Sequence, residues 1–180
     1  MKHTRIRLAL AIVTGCFGLA AAPAQADGLC SAYMMDVSAE LQLFREAPDP
    51  ITAGRNAEEA PRMEPGRLYI ARLPAQKDVK FGATSAHNPV DPAKPGGVLR
   101  LSIAQAGKYR VSIDANFWLD ALVDGTPLQS LDFRSDRECA APRKIVTFDL
   151  PAGGDIVVQL IDATVTQVRV AVTSMPQEPW

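Results

Sequence analysis

Residues 106–125, AGKYRVSIDANFWLDALVDG, decide the fold class of this chain. Apolar and polar residues alternate over 109–113 and again over 117–123. An alternation of period two predicts half-buried β-strands. Asp124-Gly125 then predicts a tight hairpin turn, because a type I′ turn needs positive φ at both central positions.

The rest of the chain repeats this pattern of short alternating segments separated by turn residues. The segments lie at 67–73, 98–103, 144–150, 156–161 and 166–173, with a weaker one at 78–82. Proline and glycine make 83–97 a loop, and the charged residues of 132–142 predict a second loop. No βαβ alternation occurs. We therefore expect an all-β fold, an antiparallel β-sandwich of jelly-roll type with seven to eight strands.

One short N-terminal helix is expected at 36–46, where Val37, Leu41 and Phe44 recur at helical spacing. Either Asp36 or Ser38 can cap it. The predicted organisation is a leader at 1–26, the helix and an irregular connection packed on the sandwich at 27–66, the β-sandwich domain at 67–174, and a tail at 175–180.

The leader has the features of a secretory signal peptide. Three basic residues precede an apolar run at 8–22, and an A-x-A cleavage site follows at 24–26. The alternative is a lipoprotein leader cleaved at Cys16. We expect a periplasmic or secreted protein, and no later segment is long and apolar enough to span a membrane.

The charge of the exported chain argues against nucleic acid as a partner. Loss of the leader reduces the 19 Lys and Arg to 16 while all 20 Asp and Glu remain, a net charge of −4. Phosphate binding requires a basic surface instead.

Cys30 and Cys139 are the two cysteines left after cleavage. In an oxidising compartment an even pair predicts a disulfide. The competing interpretation, a metal site, lacks further ligands, because His87 is the one histidine of the exported chain.

Trp118 and Asp120 are the candidate ligand-binding residues. They alternate with the apolar residues of their strand and should point away from that core. A tryptophan beside a carboxylate suits sugar stacking with hydrogen bonds to hydroxyls. The alternative is burial of Trp118 beneath the helix or the second sheet.

No catalytic residue is predicted. His87 has no nucleophile or orienting acid assigned to it, and a loop histidine in solvent is the simpler interpretation. We expect no metal or cofactor. Calcium stays an alternative because several aspartates crowd one region, although the order of a calcium loop is absent; they are Asp114, Asp120, Asp124, Asp132 and Asp136.

Two resemblances extend this interpretation. Residues 107–125, together with FDLPAG at 148–153, resemble the closing strands of exported jelly-roll accessory modules, such as carbohydrate-binding-like and pre-peptidase C-terminal-like domains. Four further short segments resemble those of small exported bacterial β-sandwich proteins of unknown function: CSAY at 30–33, PGRLY at 65–69, FWLD at 117–120 and CAAPRKIV at 139–146. Such proteins sometimes carry a homogentisate 1,2-dioxygenase label. The residues do not support that label, since the iron site needs two histidines.

Three functions are consistent with these features. The first is a non-enzymatic binding or accessory module for carbohydrate or an envelope protein. The second is a structural partner in an envelope complex that uses edge strands and the Trp180 tail. The third is a small hydrolase with a carboxylate site.

Overall fold

The alternating segments form strands in the computed structural model, which describes Cys30, residues 33–83 and residues 90–176. The predicted leader, His87 and Trp180 lie outside the described residues. One helix precedes the sheets, α1 (Ser38–Leu43). The strands are β1 (Asp49–Thr52), β2 (Arg62–Met63), β3 (Leu68–Arg72), β4 (Gly97–Leu101), β5 (Gly107–Ile113), β6 (Trp118–Val123), β7 (Thr126–Pro127), β8 (Asp132–Ser135), β9 (Lys144–Leu150), β10 (Ile156–Ile161) and β11 (Gln167–Ser174).

The strands form two sheets. The six-stranded sheet has the order β1-β3-β11-β5-β9-β8, and the five-stranded sheet has the order β2-β4-β10-β6-β7. A strand-rich fold of two sheets with one short helix is confirmed, but the expectation of purely antiparallel sheets is wrong. The described residues form eleven strands in place of the seven to eight expected, because several short edge strands lack an apolar pattern. β1 is parallel to β3, and β2 is parallel to β4. Between each of these pairs the chain passes through the other sheet, and such a crossover allows parallel pairing.

The sequence missed β1 and β2 because both lie in the proline-rich segment predicted to be irregular. Pro50 lies within β1. Both strands are at the edge of their sheet, where a missing backbone donor need not interrupt the ladder.

Side chains of both sheets form one shared buried cluster. From β5 and β6 it includes apolar residues from one face of each alternating segment: Tyr109, Val111, Ile113, Leu119 and Ala121. Val123 of the same face is partly buried against this cluster. Asp124 and Gly125 have φ of 48° and 79° and join β6 to β7, which confirms the predicted hairpin.

Helix α1 lies against the six-stranded sheet. Its Glu40 is buried, accepts a hydrogen bond of 2.5 Å from Thr173 and lies 3.4 Å from the Arg110 guanidinium. The expectation that Asp36 or Ser38 caps this helix is wrong, because Val37 is the N-cap residue and no side chain makes a capping hydrogen bond. Asp36 instead accepts a hydrogen bond from the backbone N–H of Ser38 just before the helix.

The Cys30–Cys139 disulfide is present, with a Cα–Cα distance of 4.5 Å. Beside it the Tyr33 hydroxyl donates a hydrogen bond of 2.8 Å to the carbonyl of Pro142. These contacts join the segment before α1 to the connection between β8 and β9.

Two local predictions are wrong. Residues 78–82 form no strand. A 3-10 helix occupies Gln76–Asp78, and the backbone N–H groups of Lys80 and Gly82 bond to the Arg55 carbonyl and the Gln159 side chain instead of to a neighbouring strand. Residues 132–135, predicted to be loop, form β8. This exposed edge strand is held by backbone pairing to β9, so it needs no apolar alternation.

No helix within the described residues is long and apolar enough to cross a membrane.

Candidate ligand-binding pocket

A pocket opens where the chain leaves the five-stranded sheet. β7 pairs with Leu122 and Val123 at the end of β6, and Leu128 donates a backbone hydrogen bond to the carbonyl of Ala121. The chain then crosses to the six-stranded sheet as β8. The opening has a volume of about 600 Å³ and is lined by residues of both sheets and of the crossing segment: Trp118, Leu119, Asp120, Pro127, Leu128, Gln129, Ser130, Phe133, Lys144, Val146 and Phe148.

The inner wall of the pocket is apolar. Leu119, Val146 and Phe148 are buried and belong to the cluster shared by the two sheets. A ligand group that enters the pocket would therefore contact the same side chains that form the core. This wall follows from the alternation of β6 and β9, which turns these three residues inward.

Trp118 and Asp120 both line this pocket, as neighbours on β6. Trp118 is half-buried, whereas Asp120 is 3% exposed. Of the two alternatives for burying Trp118, cover by α1 is not met, because α1 lies on the six-stranded sheet and Trp118 belongs to the five-stranded one. The second sheet does reach Trp118, since Lys144 of that sheet lies beside its ring. Ligand binding by the two residues stays a prediction.

Lys144 joins them from the other sheet. Its ammonium group donates a hydrogen bond of 2.7 Å to the carbonyl of Phe117 and lies 5.7 Å from the centroid of the Trp118 ring. Burial lowers the pKa of Lys144, while the negative charge of Asp120 acts in the opposite direction. The pocket thus holds a cation beside an aromatic ring, together with a carboxylate whose charge acts on that cation.

Phe133 contributes an exposed aromatic side chain to the pocket, in addition to Trp118 and the buried Phe148. It is 62% exposed and comes from β8. Two positions before it, Leu131 is 54% exposed but is not among the lining residues. Sequence reasoning missed Phe133 because 132–142 was expected to be a loop. It missed Lys144, the first residue of β9, because the sequence does not indicate which side chains of the other sheet a strand residue will contact.

The aspartates considered for calcium are dispersed. Asp114 forms an ion pair of 2.7 Å with Arg169, and Asp124 accepts a backbone hydrogen bond from Asp155. Asp136 accepts backbone hydrogen bonds from the loop that contains Cys139. Within the described ranges, no three histidine, cysteine or acidic side chains come together as a metal site. The calcium alternative gains no support from them.

No protein-family model matches the chain, and no curated protein is significantly similar to it. The resemblances to exported β-sandwich proteins and jelly-roll modules therefore stay predictions.

Proposed function

We propose that this protein is an exported, non-enzymatic binding module with a jelly-roll-like sandwich fold, and that the pocket between β6, β8 and β9 is its ligand site. It would act in the periplasm or outside the cell. The observation that carries the proposal is the pocket itself, which brings Trp118 and Asp120 together with Lys144 and Phe133.

The pocket has the general composition of a small-molecule site. Such sites measure about 300–1,000 Å³ and combine a mainly apolar lining with a few polar groups that orient the ligand. Here the apolar residues come from both sheets, and the polar groups are Asp120, Gln129, Ser130 and Lys144. Trp118 offers a ring for stacking against a sugar or another flat apolar surface.

The second function, a structural role in an envelope complex, is favoured by one observation. Leu131 and Phe133 expose apolar side chains at the edge of the six-stranded sheet, on and beside β8. An exposed sheet edge can accept an extended segment of another chain. A glycosidase-type hydrolase is less well supported, because that mechanism uses two carboxylates and Asp120 is the one carboxylate among the described residues that line the pocket.

The binding proposal can be tested by fluorescence. The sequence has two tryptophans, Trp118 and Trp180. In the Trp180→Phe variant the tryptophan emission comes from Trp118, which lines the pocket. This variant, exported with its own leader and purified from the periplasm, would be titrated with neutral oligosaccharides and alkyl glycosides. We expect a saturable change in Trp118 emission that Phe133→Ala weakens and Leu131→Ala does not.

Mass spectrometry of the recovered ligand checks the non-enzymatic part of the proposal. Intact ligand is expected after prolonged incubation, whereas cleaved glycoside would show a hydrolase. If no member of either ligand set changes Trp118 emission, the assignment of this pocket as a binding site is wrong.

A further inference from the structure

We infer that the pocket binds a neutral amphiphile, a hydroxylated head group joined to an apolar chain or ring, with the apolar part against Leu119, Val146 and Phe148. This inference rests on the proposed function and narrows the class of ligand.

The apolar part of the ligand is required by the inner wall. Leu119, Val146 and Phe148 are buried hydrocarbon side chains and offer no side-chain hydrogen-bonding group. A sugar placed against them would lose water from its hydroxyls without gaining partners. An alkyl or aryl group makes no hydrogen bonds to water that it could lose there, and each methylene that it buries should increase affinity about fourfold.

The head group is placed by the polar side of the pocket. Asp120 and Lys144 lie on that side, and Trp118 lies beside the Lys144 ammonium. Hydroxyls can accept hydrogen bonds from the ammonium and donate them to the carboxylate. An oligosaccharide without an apolar part would use this side of the pocket and leave the inner wall uncovered.

The charges of the pocket favour a neutral head. Among the lining residues that the structure describes, Asp120 is the acidic one and Lys144 the basic one, so these two charges offset each other. An anionic head that approaches Lys144 also meets Asp120, and a cationic head that approaches Asp120 also meets Lys144. A charged head group of either sign would lose its hydration on binding, and the site offers no net opposite charge to compensate for that loss.

Phe133 and the crossing segment form the mouth. Phe133 is largely exposed, while Gln129 and Ser130 stand on the segment between β7 and β8. Because Phe133 lines the pocket, a ligand bound there can contact its ring. Phe133 is therefore the residue whose removal should reduce affinity without disturbing the core.

The test is a titration with methyl, hexyl and octyl β-D-glucoside, each below its micelle concentration, followed by calorimetry and Trp118 emission in the Trp180→Phe background. These probes share one head and differ in the apolar part. We expect affinity to increase by about fourfold per buried methylene, so that octyl glucoside binds at least 100-fold more tightly than methyl glucoside. Octanoate and octylammonium should bind at least tenfold more weakly than octyl glucoside.

The matched variants locate the site. Phe133→Ala should weaken octyl glucoside binding about tenfold. Leu131→Ala, an exposed apolar neighbour outside the lining, should leave it unchanged. Equal loss in both variants would indicate adsorption to the exposed apolar surface and would overturn the inference.

The remaining outcomes separate the two proposals. Equal affinity for methyl and octyl glucoside, or binding of oligosaccharides alone, would overturn the amphiphile and leave the binding module standing. Tighter binding of either charged probe would overturn the neutral head. If neither the glucosides nor the oligosaccharides bind, both proposals are wrong.

Discussion

Replacing Cys30 and Cys139 by alanine measures how much the disulfide stabilises the two-sheet fold. The bond joins residues 109 positions apart, from the segment before α1 to the connection between β8 and β9. In the chain-entropy account, a cross-link that closes a loop of this length destabilises the unfolded state by about 5 kcal/mol. For a chain of this size, each kcal/mol corresponds to roughly 2–4 °C in Tm. The double variant should therefore unfold roughly 10–20 °C below the wild type.

The surrounding contacts decide whether the full effect is seen. Tyr33 remains bonded to Pro142, and Glu40 remains paired with Arg110. If these contacts hold the N-terminal segment in place, the native structure of the variant is unchanged. Its lower free energy of unfolding then comes from the greater conformational entropy of the unfolded chain without the cross-link. Alanine is chosen because Cys139 is fully buried and a polar substitute would add a cost of its own.

The assay is urea and thermal unfolding followed by circular dichroism, with the reduced wild type as the matched control. The reduced wild type and the double variant should lose similar stability. A loss below about 2 kcal/mol in both would refute the entropic reasoning. Two separate transitions in the variant would show instead that the N-terminal segment unfolds independently of the sheets.

Three further predictions concern buried polar groups. Glu40→Gln should cost about 3 kcal/mol in urea unfolding because it leaves the Arg110 guanidinium without its buried counter-charge; an equal loss in an Arg110→Met background would contradict this coupling. Burial lowers the pKa of Lys144, so the folded state holds that proton less tightly than the unfolded state. As the pH increases from neutral toward 10.5, the free energy of unfolding of the wild type should therefore rise relative to that of Lys144→Met. Parallel pH profiles of the two unfolding free energies would contradict this. Burial and the charge of Asp136 raise the pKa of Tyr33, so its absorbance change should come above pH 10.0 and be lost in Tyr33→Phe, and stability should fall as the unfolded state releases that proton. If Tyr33→Phe leaves the high-pH absorbance change unaltered, that change belongs to another tyrosine and the prediction is wrong.

Much of the fold was predictable because local signals agreed with the tertiary structure. The alternation at 109–113 and the Asp124-Gly125 turn produced the expected strands and hairpin. The short helix and the cysteine pair were also predictable. Edge strands were not: β1 contains a proline and β8 is mostly exposed, so neither has the apolar pattern that marks a strand in the sequence. Their strand conformation depends on backbone pairing with a neighbouring strand.

The candidate site divides in the same way. The sequence singled out Trp118 and Asp120, since alternation along β6 separates them from the core residues beside them. It could not find Lys144 and Phe133, which come from β9 and β8.

The sequence by itself determined the strand-rich class, the β6–β7 hairpin and the disulfide partners, because each depends on neighbouring residues or on a single possible pair. Only the tertiary structure decided that Trp118 lies beside Lys144, that Phe133 stands at the mouth and that Val146 closes the inner wall. The physical reason is that these contacts join two separate sheets. They depend on how the sheets pack around their shared core, and alternation within one strand carries no information about that packing.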